Sequence, residues 1–125
     1  GVILSLNLQG KKQQRLPGIE LAAALLKQMA QDKIQGEILF YGGVPGRAEA
    51  AAQYWRQQYS ELTIQAEHGY LLEEEQTSFH EQLSQQQPQL ILVGLGVPRQ
   101  ELWIAQHRYL CPKAIWIGVG GAFDI

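Results

Sequence analysis

The sequence predicts an α/β fold, in which a Rossmann-like and mostly parallel sheet carries helices on both faces. From Gly18 onward, short aliphatic runs alternate with amphipathic helical segments. Strand–helix–strand units of this kind join parallel neighbours by right-handed crossovers. The chain has 125 residues, of which 46% are hydrophobic, and this is enough for one core. We therefore expect residues 1–125 to form a single domain.

Four runs are predicted as strands because each is short and rich in aliphatic or β-branched residues. They are Glu37 to Tyr41, Leu62 to Glu67, Leu90 to Val93 and Ala114 to Val119. The first segment, Val2 to Gln9, is ambiguous. Its alternating aliphatic residues suit a strand, but the same run could begin a helix.

Helices are predicted between these strands. One begins after Pro45, because apolar residues recur there at helical spacing and form one stripe: Ala48, Ala51, Ala52, Trp55 and Tyr59. The segment from Ala22 to Lys33 shows nearly the same spacing. A third helix opens at Glu73 to Glu75, where negative charge suits the positive end of the helix dipole. A fourth is expected from about Pro98 to Leu110.

Composition excludes several classes of protein. The net charge is -2 and the longest basic run is Lys11-Lys12, so nucleic acid is not an expected partner. Cys111 is the only cysteine, which rules out an internal disulfide and indicates a core residue in a reducing compartment. No apolar run reaches the ~18 residues that span a bilayer. We expect a cytoplasmic protein, with flanking sequence missing at both ends.

Each predicted strand is followed by a loop with more glycine and polar residues than packing alone requires. The carboxyl edge of a parallel sheet is where ligands bind, because glycines admit backbone amides and helix N-termini favour anions. A phosphate-bearing small molecule is therefore expected, although tight βα turns use glycine for geometry as well. The loops are Gly42 to Pro45, His68 to Tyr70, Gly94 to Glu101 and Gly118 to Asp124.

Several nucleotide-binding classes do not fit. No Gly-x-Gly-x-x-Gly opens a helix and no Gly-Lys-Ser/Thr occurs, which argues against nicotinamide dehydrogenases and P-loop ATPases. Asp32 and Asp124 are the only aspartates, so a paired Asp-x-Asp metal site cannot form, and no cofactor is expected. A bound diphosphate must then be balanced by amides, helix ends and arginines such as Arg15, Arg47 or Arg99.

Together these loops resemble the TagA/WecG/CpsF family, glycosyltransferase family 26. The resemblance rests on four ordered motifs: Phe40 to Glu49, His68 to Tyr70, Val93 to Ile104 and Ile117 to Asp124. It implies an inverting, metal-independent transferase. Such an enzyme moves an N-acetylmannosamine-type sugar from a UDP donor to a prenyl-diphosphate-linked acceptor at the inner membrane surface, in teichoic acid or polysaccharide synthesis.

The resemblance also assigns roles to residues. Arg15 matches the arginine of an Arg-Val-x-Gly-x-Asp-Leu pattern, in which Glu20 replaces the aspartate; Glu20 could equally be a residue of a helix's first turn. Tyr70 matches a tyrosine of the nucleotide pocket, or is an ordinary loop tyrosine. Asp124 matches an aspartate placed to accept a hydrogen bond from uracil N3–H, which cytosine lacks, or it caps a turn.

Gln100 matches a glutamine of the active-site pocket, where its amide could orient a sugar hydroxyl or a phosphate oxygen. We expect its side chain at a strand's carboxyl end and outside the core. Its neighbour Glu101 could start a helix or act as a general base. The loop glycines are expected to line the donor site: Gly42, Gly43, Gly94, Gly96, Gly120 and Gly121.

Two parts of the family's apparatus are expected outside these residues. The proposed catalytic aspartate would precede Gly1, and the segment that touches membrane and lipid diphosphate would follow Ile125. This fragment alone is therefore expected to have little activity. A module that binds UDP or another phosphate ligand without catalysis is the alternative. A homo-oligomer is left open, as are the donor sugar and the acceptor.

Overall fold

The computed structural model describes Val2–Leu4 and residues 17–125. Within these residues the strands are β1 (Val2–Leu4), β2 (Glu37–Tyr41), β3 (Thr63–Glu67), β4 (Leu90–Val93) and β5 (Ile115–Gly118). The helices are α1 (Pro17–Gln31), α2 (Arg47–Gln58), α3 (Glu73–Gln86) and α4 (Arg99–His107), followed by a 3₁₀ turn at Arg108–Leu110. The predicted α/β fold is confirmed.

Element boundaries differ slightly from the predicted ones. The first helix starts at Pro17 and ends at Gln31, so Lys33, with a φ of 51°, lies beyond it. The second starts at Arg47 because Gly46 adopts a left-handed conformation that no helix continues through. The first part of the ambiguous segment, Val2–Leu4, is a strand, whereas its remaining residues lie outside the described part of the chain.

The five strands form one all-parallel sheet in the order β1-β5-β4-β2-β3. From β2 the chain adds β3 at one edge and then crosses back over β2 to β4. It next adds β5, which lies between β4 and the edge strand β1. The connections after β2 and after β4 lead in opposite directions. These two strands are neighbours, so the crevice between their carboxyl ends is the topological switch point, the place where open α/β sheets bind ligands.

Helices cover both faces of the sheet, as the sequence predicts. Side chains of β2 alternate between the faces: Ile38 and Phe40 join the core under α1 and α2, whereas Leu39 and Tyr41 join the core under α3 and α4. The reversal of chain direction after β3 explains this division, because a right-handed crossover in the opposite direction places its helix on the opposite face.

Two large side chains at the cores have their polar atoms paired. Trp116 is 1% exposed, and its indole N–H donates to the Cys111 carbonyl at 3.1 Å, so the polar atom of this large side chain is satisfied. Arg56 of α2 donates to the Ile64 carbonyl of edge strand β3 at 2.6 Å and pairs with Glu49 at 2.8 Å.

No helix in the described part of the chain is both long and apolar enough to cross a membrane.

Candidate functional site

The loops after β2 and β4 meet at the switch point through two glycines. Gly42 has a φ of 125°, and a Cβ added there would lie 2.6 Å from the Gly94 carbonyl oxygen. The Gly94 N–H donates to the Tyr41 carbonyl at 2.8 Å, which holds the two loops in register. Only glycine fits at Gly42, because a side chain would meet both backbone strain and a neighbouring backbone.

The other two loops join the same edge around Gly43. The Gly69 N–H, after β3, donates to the Gly43 carbonyl at 2.9 Å. On its other side, a Cβ on Gly43 would lie 3.7 Å from the Gly121 carbonyl oxygen, in the loop after β5. Gly121 in turn adjoins Gly96. The four sequence-predicted loops are thus in contact, and they form one backbone-rich surface.

Asp124 lies at the tip of a three-residue turn in the loop after β5. The Ile125 N–H donates to the Phe123 carbonyl at 3.0 Å, and this bond closes the turn. Phe123 is buried, whereas Asp124 is exposed. A carboxylate on such a turn can accept a hydrogen bond from a ligand at the sheet edge.

The sequence analysis expects the Gln100 side chain outside the core, but the structure shows that it is buried. It is 0% exposed, and its Oε1 accepts a hydrogen bond from the Gly120 N–H at 3.0 Å. Its Nε2 packs against Gly118 and has no hydrogen-bond partner among the described residues. The reason is that the first turn of α4 faces the end of β5, so the amide lies behind the glycine loop and holds Gly120 in place.

Tyr70 lies at the rim of this edge with 58% of its surface exposed. Its backbone N–H donates to Nδ1 of His68 at 3.0 Å, so that nitrogen accepts a hydrogen bond. The His68 Nε2 lies 3.8 Å from the Glu67 carboxylate. This arrangement fixes the His68–Tyr70 corner and leaves the phenol of Tyr70 free to meet a ligand.

Two arginines supply positive charge near the switch point. Arg47 begins α2, and its side chain runs beside Gly43. Arg99 begins α4 and is close enough to Tyr41 to act on its hydroxyl. Burial raises the pKa of Tyr41, and the Arg99 guanidinium partly opposes that rise. Both cations are exposed at helix N-termini, which themselves favour anions.

Three further candidate residues were predicted from the sequence. Arg15 lies outside the described residues. Glu20 is exposed in the first turn of α1, a position that suits a carboxylate electrostatically. Glu101 likewise lies in the first turn of α4, and both of its carboxylate oxygens are shielded from solvent without a hydrogen-bond partner in the described part of the chain.

The described residues do not form a cluster of metal ligands. Among residues 2–4 and 17–125, no group of three or more His, Cys, Asp or Glu side chains could hold a metal ion. The sequence analysis did not link the buried Trp55 to the loop after β5. Its indole N–H donates to the Ile125 carbonyl, a contact 70 positions apart in the chain that no local pattern signals.

Comparison with known proteins shows which family the chain resembles. The sequence matches the Glycosyl transferase WecG/TagA/CpsF family over residues 1–125. The N-acetylglucosaminyldiphosphoundecaprenol N-acetyl-beta-D-mannosaminyltransferase of Bacillus spizizenii is 28% identical over 127 aligned positions, covering 100% of this chain and 48% of that protein. The protein of the same name from Staphylococcus aureus strain NCTC 8325 is 33% identical over 112 positions, 89% of this chain and 42% of that protein. The chain thus spans about half the length of these curated relatives.

Proposed function

Because the chain belongs to the WecG/TagA/CpsF family of glycosyl transferases, we propose that it forms the donor-binding part of an enzyme that transfers an N-acetylmannosamine-type sugar. The donor is a UDP-sugar, and the acceptor is a sugar on a prenyl diphosphate, the kind of acceptor that the relatives' names describe. Such an acceptor places the enzyme at a membrane surface, in the synthesis of a cell-envelope polymer.

The observation that carries this proposal is the convergence of four glycine-containing loops at the switch point of the sheet. The glycines that remain at least partly exposed at this edge, Gly43, Gly96 and Gly121, allow backbone amides to approach a diphosphate without side chains intervening. The N-termini of α2 and α4 flank the crevice and bring Arg47 and Arg99. These groups balance the charge of a diphosphate without a metal ion.

Recognition of the nucleobase is assigned to Asp124 and Tyr70. The Asp124 carboxylate accepts the N3–H of uracil, and cytosine offers no donor at that position. The exposed phenol of Tyr70 can pack on the base or ribose. A donor held in this way has its diphosphate along the Gly42–Gly43 loop.

The reaction itself is a single displacement with inversion. The acceptor hydroxyl loses its proton to a carboxylate and attacks the anomeric carbon, while the bond from that carbon to the UDP oxygen breaks. The leaving diphosphate takes the electron pair, and cations and amides stabilise its charge. The described residues best support one part of this reaction, which is donor binding with stabilisation of the leaving group.

Titration calorimetry with UDP, CDP and ADP tests the base assignment. We expect UDP to bind at least about tenfold more tightly than CDP or ADP, which corresponds to one charge-assisted hydrogen bond. Asp124→Asn should abolish the preference for UDP over CDP, because an amide can donate to the cytosine ring nitrogen. Asp32→Asn, the same change at the other aspartate, is the matched control and should leave the preference intact. Equal affinity of the unaltered chain for all three nucleotides would refute the assignment.

A further inference from the structure

The turn that presents Asp124 is anchored on both sides. Phe123, the residue before it, is 4% exposed and packed in the core. Ile125, the residue after it, gives its carbonyl oxygen to the indole N–H of Trp55 at 3.3 Å. The Ile125 N–H closes the turn on the Phe123 carbonyl. The backbone of Asp124 is therefore fixed from two directions, although its carboxylate is exposed.

The Phe123 anchor depends on close packing. Its ring stacks on Phe40 of β2 with centroids 5.5 Å apart, and it occupies the space that a side chain on Gly94 would fill. Phe123 has a φ of 56°, a left-handed conformation that is unfavourable for a residue with a Cβ. The buried ring contacts offset that cost, and they direct the chain so that the next residue faces outward.

The Trp55 anchor comes from a separate element. Trp55 is 4% exposed on α2, and its ring stacks on Tyr59 with centroids 5.9 Å apart. An indole has one hydrogen-bond donor and no acceptor, and here that donor is used on the Ile125 carbonyl. Trp55 is buried away from the loop surface, so any effect it has on a ligand passes through Ile125 and the turn.

We propose that Trp55 and Phe123 are positioning residues that set the preference for a uracil base without touching the nucleotide. They hold the backbone of Asp124 in one conformation, which limits the directions that its carboxylate can take towards the N3–H of uracil. This inference rests on the proposed role of Asp124 in base recognition. A freely moving carboxylate would still attract water and cations, but it would lose most of its discrimination between bases.

The test is calorimetric titration of the 125-residue chain and its variants with UDP and CDP. Trp55→Phe keeps a buried aromatic ring and removes the N–H donor. We expect its UDP dissociation constant to rise about three- to tenfold, with the CDP constant nearly unchanged, because a less ordered Asp124 loses part or all of one hydrogen bond to the uracil N3–H. Tyr59→Phe changes the other ring of the same stack, keeps the indole donor, and should retain the original ratio of the two constants.

A second variant guards against a Trp55→Phe protein that does not fold. Phe123→Leu shortens the other anchor and loses the stack on Phe40, so it should reduce the UDP-to-CDP preference by an independent route. Thermal melts of each variant establish that the titrated protein is folded. A folded variant of either kind that keeps the original preference would overturn the positioning role.

These titrations distinguish failure of the positioning role from failure of base recognition by Asp124. If the unaltered chain does not prefer UDP, the base-recognition proposal itself fails. A second outcome is that the unaltered chain prefers UDP and that Asp124→Asn removes this preference, while the anchor variants keep it. In that case Asp124 recognises the base and the anchors do not position it. Loss of preference in Asp124→Asn and in both anchor variants supports the inference.

Discussion

At the scale of single residues, Cys111 shows how completely the core excludes solvent. The thiol is buried between α3 and β5 and donates to the Leu83 carbonyl at 3.4 Å. Burial raises the pKa of Cys111 to about 11, so almost no thiolate exists at pH 8. This side chain packs in the core and is not a nucleophile.

The corresponding prediction concerns thiol reactivity. A disulfide reagent at pH 8 should modify Cys111 in the folded chain at least about a hundredfold more slowly than in guanidinium, given the thiolate fractions at a raised and an ordinary pKa. The absorbance of the released chromophore measures both rates. Equal rates in the two conditions would show that the thiol is accessible or ionised, contrary to the structure.

Residues of the candidate site differ in how far the sequence alone could place them. Asp124 and Tyr70 follow predicted strands, and both are exposed at the expected edge. Gln100 was placed on the correct element but with the wrong burial, because its environment is the end of β5, 20 positions away in the chain. Trp55 was assigned only to a core stripe. Local spacing shows which face of a helix is apolar, but it does not show what a buried polar atom bonds.

At the scale of elements, α3 and α4 meet through a column of rings. Trp103 stacks on His107 with centroids 4.1 Å apart, and His107 lies 4.9 Å from His80 of α3. The His107 Nδ1 lies 2.7 Å from the Trp103 carbonyl oxygen and therefore carries a proton to donate to it. Partial burial, together with repulsion from His107, lowers the pKa of His80.

This pair makes the stability of the helix contact depend on pH. Since the pKa of His80 is lower in the folded chain than in the unfolded one, the unfolded chain binds more protons near and below pH 6.5. The free energy of unfolding should therefore be fully retained at pH 7.5 and decrease as the pH falls through 6.5 towards the folded pKa. Urea titrations at pH 7.5 and 5.5 measure the difference.

The matched variant is His80→Gln, which keeps a polar side chain on α3 but cannot be protonated in this range. It should show a smaller decrease in the free energy of unfolding between the two pH values than the unaltered chain. His68→Gln, at the distant corner after β3, is the control because this histidine lies outside the ring column. An unaltered chain that is as stable at pH 5.5 as at pH 7.5 would contradict the assignment.

The positions of the helices and strands were predicted more accurately than any other feature of the structure. The bounds of β2 and β4 agree with the predicted runs, because buried parallel strands are short and continuously apolar. Helix ends were less accurate, since they depend on backbone conformations such as the left-handed Gly46. The order of strands could not be predicted. The placement of β2 between β3 and β4 depends on which edges pair in space, and no sequence window contains that information.

For the whole molecule, the central feature is the asymmetry between the two edges of the sheet. Glycine-containing loops, the N-termini of α2, α3 and α4, and the side chains of Arg47 and Arg99 lie at the carboxyl edge. The chain as a whole carries a net charge of -2, so its overall field does not attract a diphosphate, and any attraction depends on groups such as Arg47 and Arg99 at this edge. This distribution suits a small anionic ligand better than a polyanion.

The most direct test of the proposed donor site is a crystal structure of this chain with UDP, grown in the presence of EDTA. We expect the uracil N3–H within hydrogen-bond distance of the Asp124 carboxylate, the base or ribose against Tyr70, and the diphosphate beside the Gly42–Gly43 loop without a metal ion. Trp55 should remain bonded to the Ile125 carbonyl, away from the nucleotide. A nucleotide at another edge of the sheet, or one that binds only after a divalent metal is restored, would contradict the account.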